Sequence, residues 1–261
     1  MNYNKGNLLE ECKYDLDRSF AYKEKYEYDD NGKLLGTGYY YSDGSLWYQE
    51  KYTYDDNGQL LEEREYGPDG TLNNQKLHTY DDEGKLLGKS VYDSEGVLFY
   101  EEKYVYDNEG NLIKENHFDS DGTLNFSKTY DNKRNLLKIS RFDSDGSLAN
   151  KEKFVYNNKG KLVEKSVYDK DGSLIEKSVY DNKGNVIGEL SYDLYGTIIL
   201  LKIYNNNGKL VEKFKYNLKE SEGTRVKYEY SNKGKMVEES HYYSDGSIYR
   251  RYKNKYDNQG D

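Results

Sequence analysis

Eighteen of the chain's 24 glycines fall on one periodic grid, and the spacing of that grid limits what the chain can build. One motif reads Tyr-Asp-Asp-Asn-Gly-Lys-Leu-Leu at Tyr28 to Leu35. Its glycine recurs at Gly6, Gly32, Gly58, Gly84, Gly110, Gly160, Gly184, Gly208, Gly234 and Gly260, and Arg134 stands in the glycine's place between Gly110 and Gly160. A second motif, Tyr-Asp-Ser-Asp-Gly-Ser-Leu, places Gly44, Gly70, Gly96, Gly122, Gly146, Gly172, Gly196 and Gly246, with Gly223 read as a displaced member. The step from first to second motif is 12 residues, and the step back is 14 or 12, so the repeat is 26 or 24 residues long. Strand side chains alternate with period two, so losing two residues shortens an arm without exchanging its faces. A helical repeat has no reason to keep its length changes even. The grid therefore predicts strands.

Both motifs have the chemistry of four-residue turns. Asp first and Gly last suits a type I turn followed by a left-handed residue. The only proline, Pro68 in Gly67-Pro68-Asp69-Gly70, falls at the second position, which type I turns favour. Arms of roughly 8–10 residues separate the turns, a normal strand length. The expectation is an all-β tandem array of β-hairpins with about twenty antiparallel strands and no helix longer than about two turns. Residues 1–261 form one continuous array, expected to be a fragment of a longer protein because the sequence starts and stops inside a repeat. Counted from either glycine, Leu at +2 and an aromatic near +8 share parity, as in Leu46, Tyr52 and Tyr54. Leu and Tyr are thus assigned to one face, and Lys, Glu, Ser and Asn to a solvated opposite face. That arrangement leaves two architectures: a coiled sheet or solenoid whose Leu/Tyr face packs on itself, or a long single layer. Coiling is the expectation, since twenty strands rarely stay flat and an exposed aromatic face would aggregate.

Composition restricts the functions available. Hydrophobic residues make up only 34% of the chain, and that figure includes 32 tyrosines. Tyrosine can bury its ring and keep its hydroxyl wet, which lets so polar a chain fold. A net charge of −9 disfavours nucleic acid and anionic membranes, and no apolar run approaches the length of a membrane span. Neither partner is therefore expected. Cys12 is alone, so no internal disulfide is available. The degenerate first unit (Asp17-Arg18-Ser19) reads as a partial cap, while the last unit, ending at Gly260-Asp261, is expected to pair with adjoining repeats.

The run Tyr26-Glu27-Tyr28-Asp29-Asp30-Asn31-Gly32-Lys33-Leu34, echoed at Tyr52–Leu60 and Tyr104–Leu112, resembles the tyrosine–aspartate (YD, Rhs-type) repeat over nearly the whole chain. That resemblance implies large β-sheet shells or stalks of bacterial surface and toxin-delivery proteins, with no catalytic residues. Leu35-Gly36-Thr37-Gly38-Tyr39 is similar to a MORN unit, and the Lys/Glu-rich hairpins resemble the single-layer sheet of spirochaete outer-surface lipoproteins. The implied location is the cell surface or the medium.

Chemistry is hard to find in this sequence. His78, His117 and His241 lie in three distant units, and no Ser or Cys has a histidine partner implied by the repeat. Asp119-Ser120-Asp121-Gly122, Asp143-Ser144-Asp145-Gly146 and Asp169-Lys170-Asp171-Gly172 resemble the start of a calcium loop. A strand follows each at once, however, and turn chemistry already explains these residues. No enzyme, cofactor or metal is expected. One cluster suggests a ligand surface: Trp47 with Tyr39, Tyr40, Tyr41 and Tyr48, matched by Tyr242, Tyr243, Tyr249 and Tyr252. Cross-strand packing is the plainer reading of these rings. The alternative is a face that binds glycan or another protein. Modules that bind cell-wall choline use many tryptophans and this chain has one, which weighs against carbohydrate. The reading is a non-catalytic structural or adhesive repeat segment of a bacterial surface or secreted protein, with a glycan- or protein-binding module as the alternative.

Overall fold

A computed structural model describes residues 7–14, 20–217 and 222–256. The described residues form twenty strands and no helix. The chain divides into two compact units, Met1–Asn125 and Phe126–Asp261. The first holds β1 (Glu10–Tyr14), β2 (Phe20–Tyr28), β3 (Leu34–Tyr41), β4 (Leu46–Tyr54) and β5 (Leu60–Tyr66). It continues through β6 (Leu72–Tyr80), β7 (Leu86–Asp93), β8 (Leu98–Tyr106) and β9 (Leu112–Asp119). Next come β10 (Leu124–Tyr130), whose last five residues open the second unit, β11 (Leu136–Phe142), β12 (Leu148–Tyr156), β13 (Leu162–Tyr168), β14 (Leu174–Tyr180) and β15 (Val186–Tyr192). The second unit ends with β16 (Ile198–Tyr204), β17 (Leu210–Asn217), β18 (Glu222–Tyr230), β19 (Met236–Tyr242) and β20 (Ile248–Lys253). Within each unit every strand pairs antiparallel with the next, and the sheet is open.

The turns form as their residues dictate. In each, the first residue's carbonyl accepts from the fourth residue's amide, as Asp29 does from Gly32 at 3.0 Å, and the first amide donates to the fifth carbonyl, Asp29 to Lys33 at 2.9 Å. The fourth residue is left-handed in every described turn of the grid, with φ between 72° and 89° for glycine. Arg134 adopts φ 64°, the one non-glycine there. The leading aspartate completes the turn: Asp29 Oδ1 accepts the amides of Asn31 and Lys33 at 2.9 and 2.8 Å. Gly223 is different. It lies inside β18 opposite Tyr216, where the Phe214 ring fills the space a Cβ would need. It is not a displaced turn glycine. Gly6, Gly260, Asp17-Arg18-Ser19 and Asp261 lie outside the described residues.

A bulge in nearly every hairpin corrects the assignment of faces, β17–β18 being paired without one. Tyr39 opposes Tyr48, but Tyr40 opposes Leu46, so Trp47 is an extra residue in β4. Leu35, Leu61 and Leu87 are extra in the same way after the first motif, and Phe99, Ile175 and Tyr249 after the second. An inserted residue swaps the face of everything beyond it. Leu46 therefore shares the face of Tyr40, while Tyr48, Tyr52 and Tyr54 lie on the other. Neither face is purely apolar or purely solvated. Glu50 and Glu102 sit among the tyrosines of β4 and β8, accepting from the hydroxyls of Tyr52 and Tyr104, each at 2.6 Å. On the opposite face a lysine reaches diagonally to the next strand's aromatic: Lys25 over Tyr40 at 5.0 Å, Lys51 over Tyr66 at 5.5 Å, Lys103 over Phe118 at 5.0 Å and Lys153 over Tyr168 at 5.1 Å. Such pairs contribute about 0.5–1 kcal/mol each at exposed sites.

Burial is shallow throughout. Val91 is the one buried hydrophobic among the described residues, and the deepest side chains are small polar ones such as Ser166 and Ser240, covered by their long neighbours. Side chains on each face are covered by neighbours within the layer.

Candidate functional site

The two motifs make different rims. At six first-motif turns that follow a 26-residue step, the tyrosine donates its hydroxyl to the carbonyl of the residue 20 positions earlier, near the start of the preceding strand, while Tyr54, after a step of the same length, makes no such bond. In the first unit these bonds are Tyr28 to Leu8 (2.9 Å), Tyr80 to Leu60 (2.9 Å) and Tyr106 to Leu86 (2.8 Å). In the second they are Tyr156 to Leu136 (3.1 Å), Tyr230 to Leu210 (2.8 Å) and Tyr256 to Met236 (2.8 Å). The residue after one turn's glycine also packs on the next turn. Lys33 lies 4.9 Å over the Tyr54 ring and 3.3 Å from where a Cβ on Gly58 would stand, and Lys209 treats Tyr230 and Gly234 likewise. After the 24-residue steps Tyr204 donates to Glu189 at 2.8 Å instead, and nothing approaches Gly184 or Gly208, although Gly160, after a 26-residue step, is equally open. At the second motif, nothing lies within 4 Å of a Cβ on Gly44, Gly70, Gly96, Gly122, Gly146, Gly172, Gly196 or Gly246.

The aromatic cluster sits on this unladdered rim, and the bulge at Trp47 assembles it. Tyr39 and Tyr48 stack at 4.1 Å and 12°, Tyr41 lies against Trp47 at 5.6 Å and 28°, and Trp47 meets Tyr48 nearly at right angles (87°, 5.1 Å). Tyr40 is not a member, since it opposes Leu46 under Lys25 on the other face. Tyr41 and Trp47 remain 47% and 46% exposed. Together with Tyr48 they form one wall of an open depression of about 680 Å³. The next hairpin supplies the other wall, Glu65, Asp69 and Asn73 around the Gly67-Pro68 turn. Asn73 and Asn74 each donate to Glu65 at 3.1 Å. Desolvation is the main cause that raises the Tyr48 phenol above its ordinary value, with Glu50 and Glu65 adding to it.

The second cluster repeats part of this geometry. Tyr243 and Tyr249 lie 4.7 Å apart, with His241 5.8 Å from both Tyr249 and Tyr252. Tyr242 lies apart from it, under Arg225 and Lys227.

The sequence-level chemical candidates are dispersed. His78 approaches Glu63 at 3.5 Å, His117 stacks on Tyr100 at 4.8 Å, and His241 bonds Glu239 at 2.7 Å. Asp169 is occupied by the amides of Asp171 and Ser173, and Lys170 bonds Asp171. Cys12 is exposed on β1. Among the described residues no three His, Cys, Asp or Glu side chains converge on a point. The charged rows inside the tyrosine face, such as Lys89 with Glu102 at 3.4 Å, were hidden by the misassigned parity.

A family model described as an uncharacterised protein matches residues 39–143. No curated protein matches the sequence. Among solved structures, the Photorhabdus luminescens Tc holotoxin pore carrying TccC3-D651A aligns at TM-score 0.45 and 13% identity, covering 90% of this chain and 15% of that one. The TcdB2-TccC3-TEV structure aligns at 0.44 and 13%, covering 94% and 15%. A porin-like protein from Bacteroides uniformis aligns at 0.27 and 15%, covering 88% and 87%. The chain spans 15% of the length of the toxin chains it matches.

Proposed function

We propose that this chain is a non-catalytic, YD-type structural repeat segment of a bacterial surface or secreted protein, with adhesion as its role. The tyrosine ladder along the first-motif rim carries the reading. At six positions it joins a hairpin to its predecessor after a 26-residue step, so added repeats lengthen the array without a new core. Protease treatment of intact host cells producing the full-length protein tests it. The expected result is digestion of this segment on unbroken cells or its recovery from the medium. Protection until lysis contradicts the reading.

A second reading, a binding module for a glycan or protein partner, is favoured by one observation. Trp47 and Tyr41 hold ordered ring geometry while half exposed, next to polar groups from another hairpin.

A further inference from the structure

We propose that the depression between Trp47 and Glu65 is a site for an organic ammonium cation, a quaternary ammonium such as choline being its simplest occupant. The inference rests on the binding-module reading and names the chemistry of the ligand. Several aromatic rings of the sheet carry an ammonium group of the chain itself. Lys25 lies over Tyr40, Lys33 over Tyr54, Lys51 over Tyr66 and Lys89 over Tyr100, at 4.9–5.5 Å. Among the described residues no lysine or arginine lies over Tyr41, Trp47 or Tyr48. Tyr41 and Trp47 stay about half exposed along the depression, with Trp47 in edge contact with Tyr48. Exposed aromatic rings attract ammonium groups through their negative faces.

The carboxylates of the same region are also uncompensated. Glu50 directly opposes Glu65 on β4 and β5. Like charges so placed destabilise a sheet. No lysine or arginine bridges either one among the described residues, although Glu63 and Glu102 on the same face each have a lysine, Lys76 at 3.2 Å and Lys89 at 3.4 Å. Glu65 instead takes amides from Asn73 and Asn74, which fix its orientation and leave its charge in place. Asp69 adds a second carboxylate to the same wall. Aromatic faces and unbalanced negative charge on opposite walls select a cation with an apolar surface, and they disfavour phosphate, sulfate or acidic sugars.

Trp47 is the only tryptophan in the chain, so its fluorescence reports on this site alone. Titration with choline should change that emission saturably, and the neutral isostere 3,3-dimethylbutan-1-ol should not. Glu65→Gln, which removes the charge and keeps an acceptor for one of the two asparagine amides, should weaken choline about tenfold. Trp47→Ala, followed by NMR, should abolish binding. Phe99→Ala, at the equivalent bulge of the β7–β8 hairpin, should leave it unchanged. Nα-acetyl-lysine amide, as a second arm, distinguishes a side-chain source from a choline-type one. Equal binding of choline and its neutral isostere overturns the proposal. Binding of chitohexaose or cellohexaose without any ammonium compound overturns it too, but leaves the binding-module reading standing. A site that takes none of these probes sinks the cation claim and removes the support Trp47 gives that reading.

Discussion

The two rims of the sheet are built from nearly the same turn yet have different neighbours. Asp81 and Asp93 begin turns with the same pair of backbone bonds, at 3.0–3.1 Å. Beyond the first, Tyr80 reaches back to Leu60 and Gln59 packs under Gly84; beyond the second, Gly96 meets nothing. The cause is arm length. A 26-residue step makes the strand entering the first-motif turn two residues longer, roughly 6.6 Å, so its last tyrosine passes the start of the preceding strand and can bond its carbonyl. Local turn chemistry makes a hairpin, and the longer step allows hairpins to be stapled to each other, as it does at six of the tyrosines. The stapled rim holds the array, which leaves the other rim free to carry a ligand surface.

Removing a staple should show the largest difference. Tyr106→Ala loses a half-buried ring and its bond to Leu86, and should cost roughly 2–3 kcal/mol, below the range for fully buried aromatics. Phe99→Ala on the free rim, where the ring is 69% exposed, should stay within about 0.5 kcal/mol. Urea unfolding of both variants measures the contrast, and equal costs would erase it. Tyr106→Phe isolates the hydroxyl and should cost about 0.5–1.5 kcal/mol.

Arg134 sharpens the comparison from the other side. It occupies a left-handed position on the first-motif rim at φ 64°. Glycine there carries no steric penalty, so Arg134→Gly should stabilise the second unit by about 1 kcal/mol. A loss of stability would mean that its side chain contributes more than its backbone costs.

Acid should weaken both rims together. Hydrogen bonds from Asn111 and Asn185, side chain before backbone, hold Asp107 and Asp181 of the first motif below the ordinary 3.8. Ser45 and Ser147 do the same for Asp43 and Asp145 of the second. A depressed carboxyl contributes stability above its unfolded pKa and loses it as pH falls through the folded one. Unfolding midpoints should therefore be flat in this respect near neutrality and decline below about pH 4. Asp107→Asn should flatten that decline, and an unchanged slope would assign it to other carboxylates.

The turns were legible because glycine, aspartate and proline act locally. Even Arg134 was placed correctly by its neighbours. The strands were legible from the even spacing. The faces were not, because Leu34-Leu35 and Leu46-Trp47 look like ordinary strand and give no sign that the second residue is inserted. Once that residue is counted, the glutamates among the tyrosines and the lysines over the opposite aromatics fall into place. The six residues named for a ligand surface, Trp47, Tyr39, Tyr41, Tyr48, Tyr243 and Tyr249, separate into two clusters by chain position. Glu65 and Asn73 on the facing wall were missed, since their approach to Trp47 depends on the register of β5 and β6. The parity of the sequence carried no signal for them.

Residue-resolved amide exchange tests the central claim most directly. The amides of Asp81, Asp107, Asp93 and Asp181 make the same turn bond at 2.9–3.0 Å, so their bond geometry predicts equal protection. The ladder predicts that Asp81 and Asp107 exchange about three- to tenfold more slowly than Asp93, and that Asp181, after a 24-residue step, behaves like Asp93. Equal rates at all four, or protection that ignores the 24- and 26-residue steps, would contradict the account.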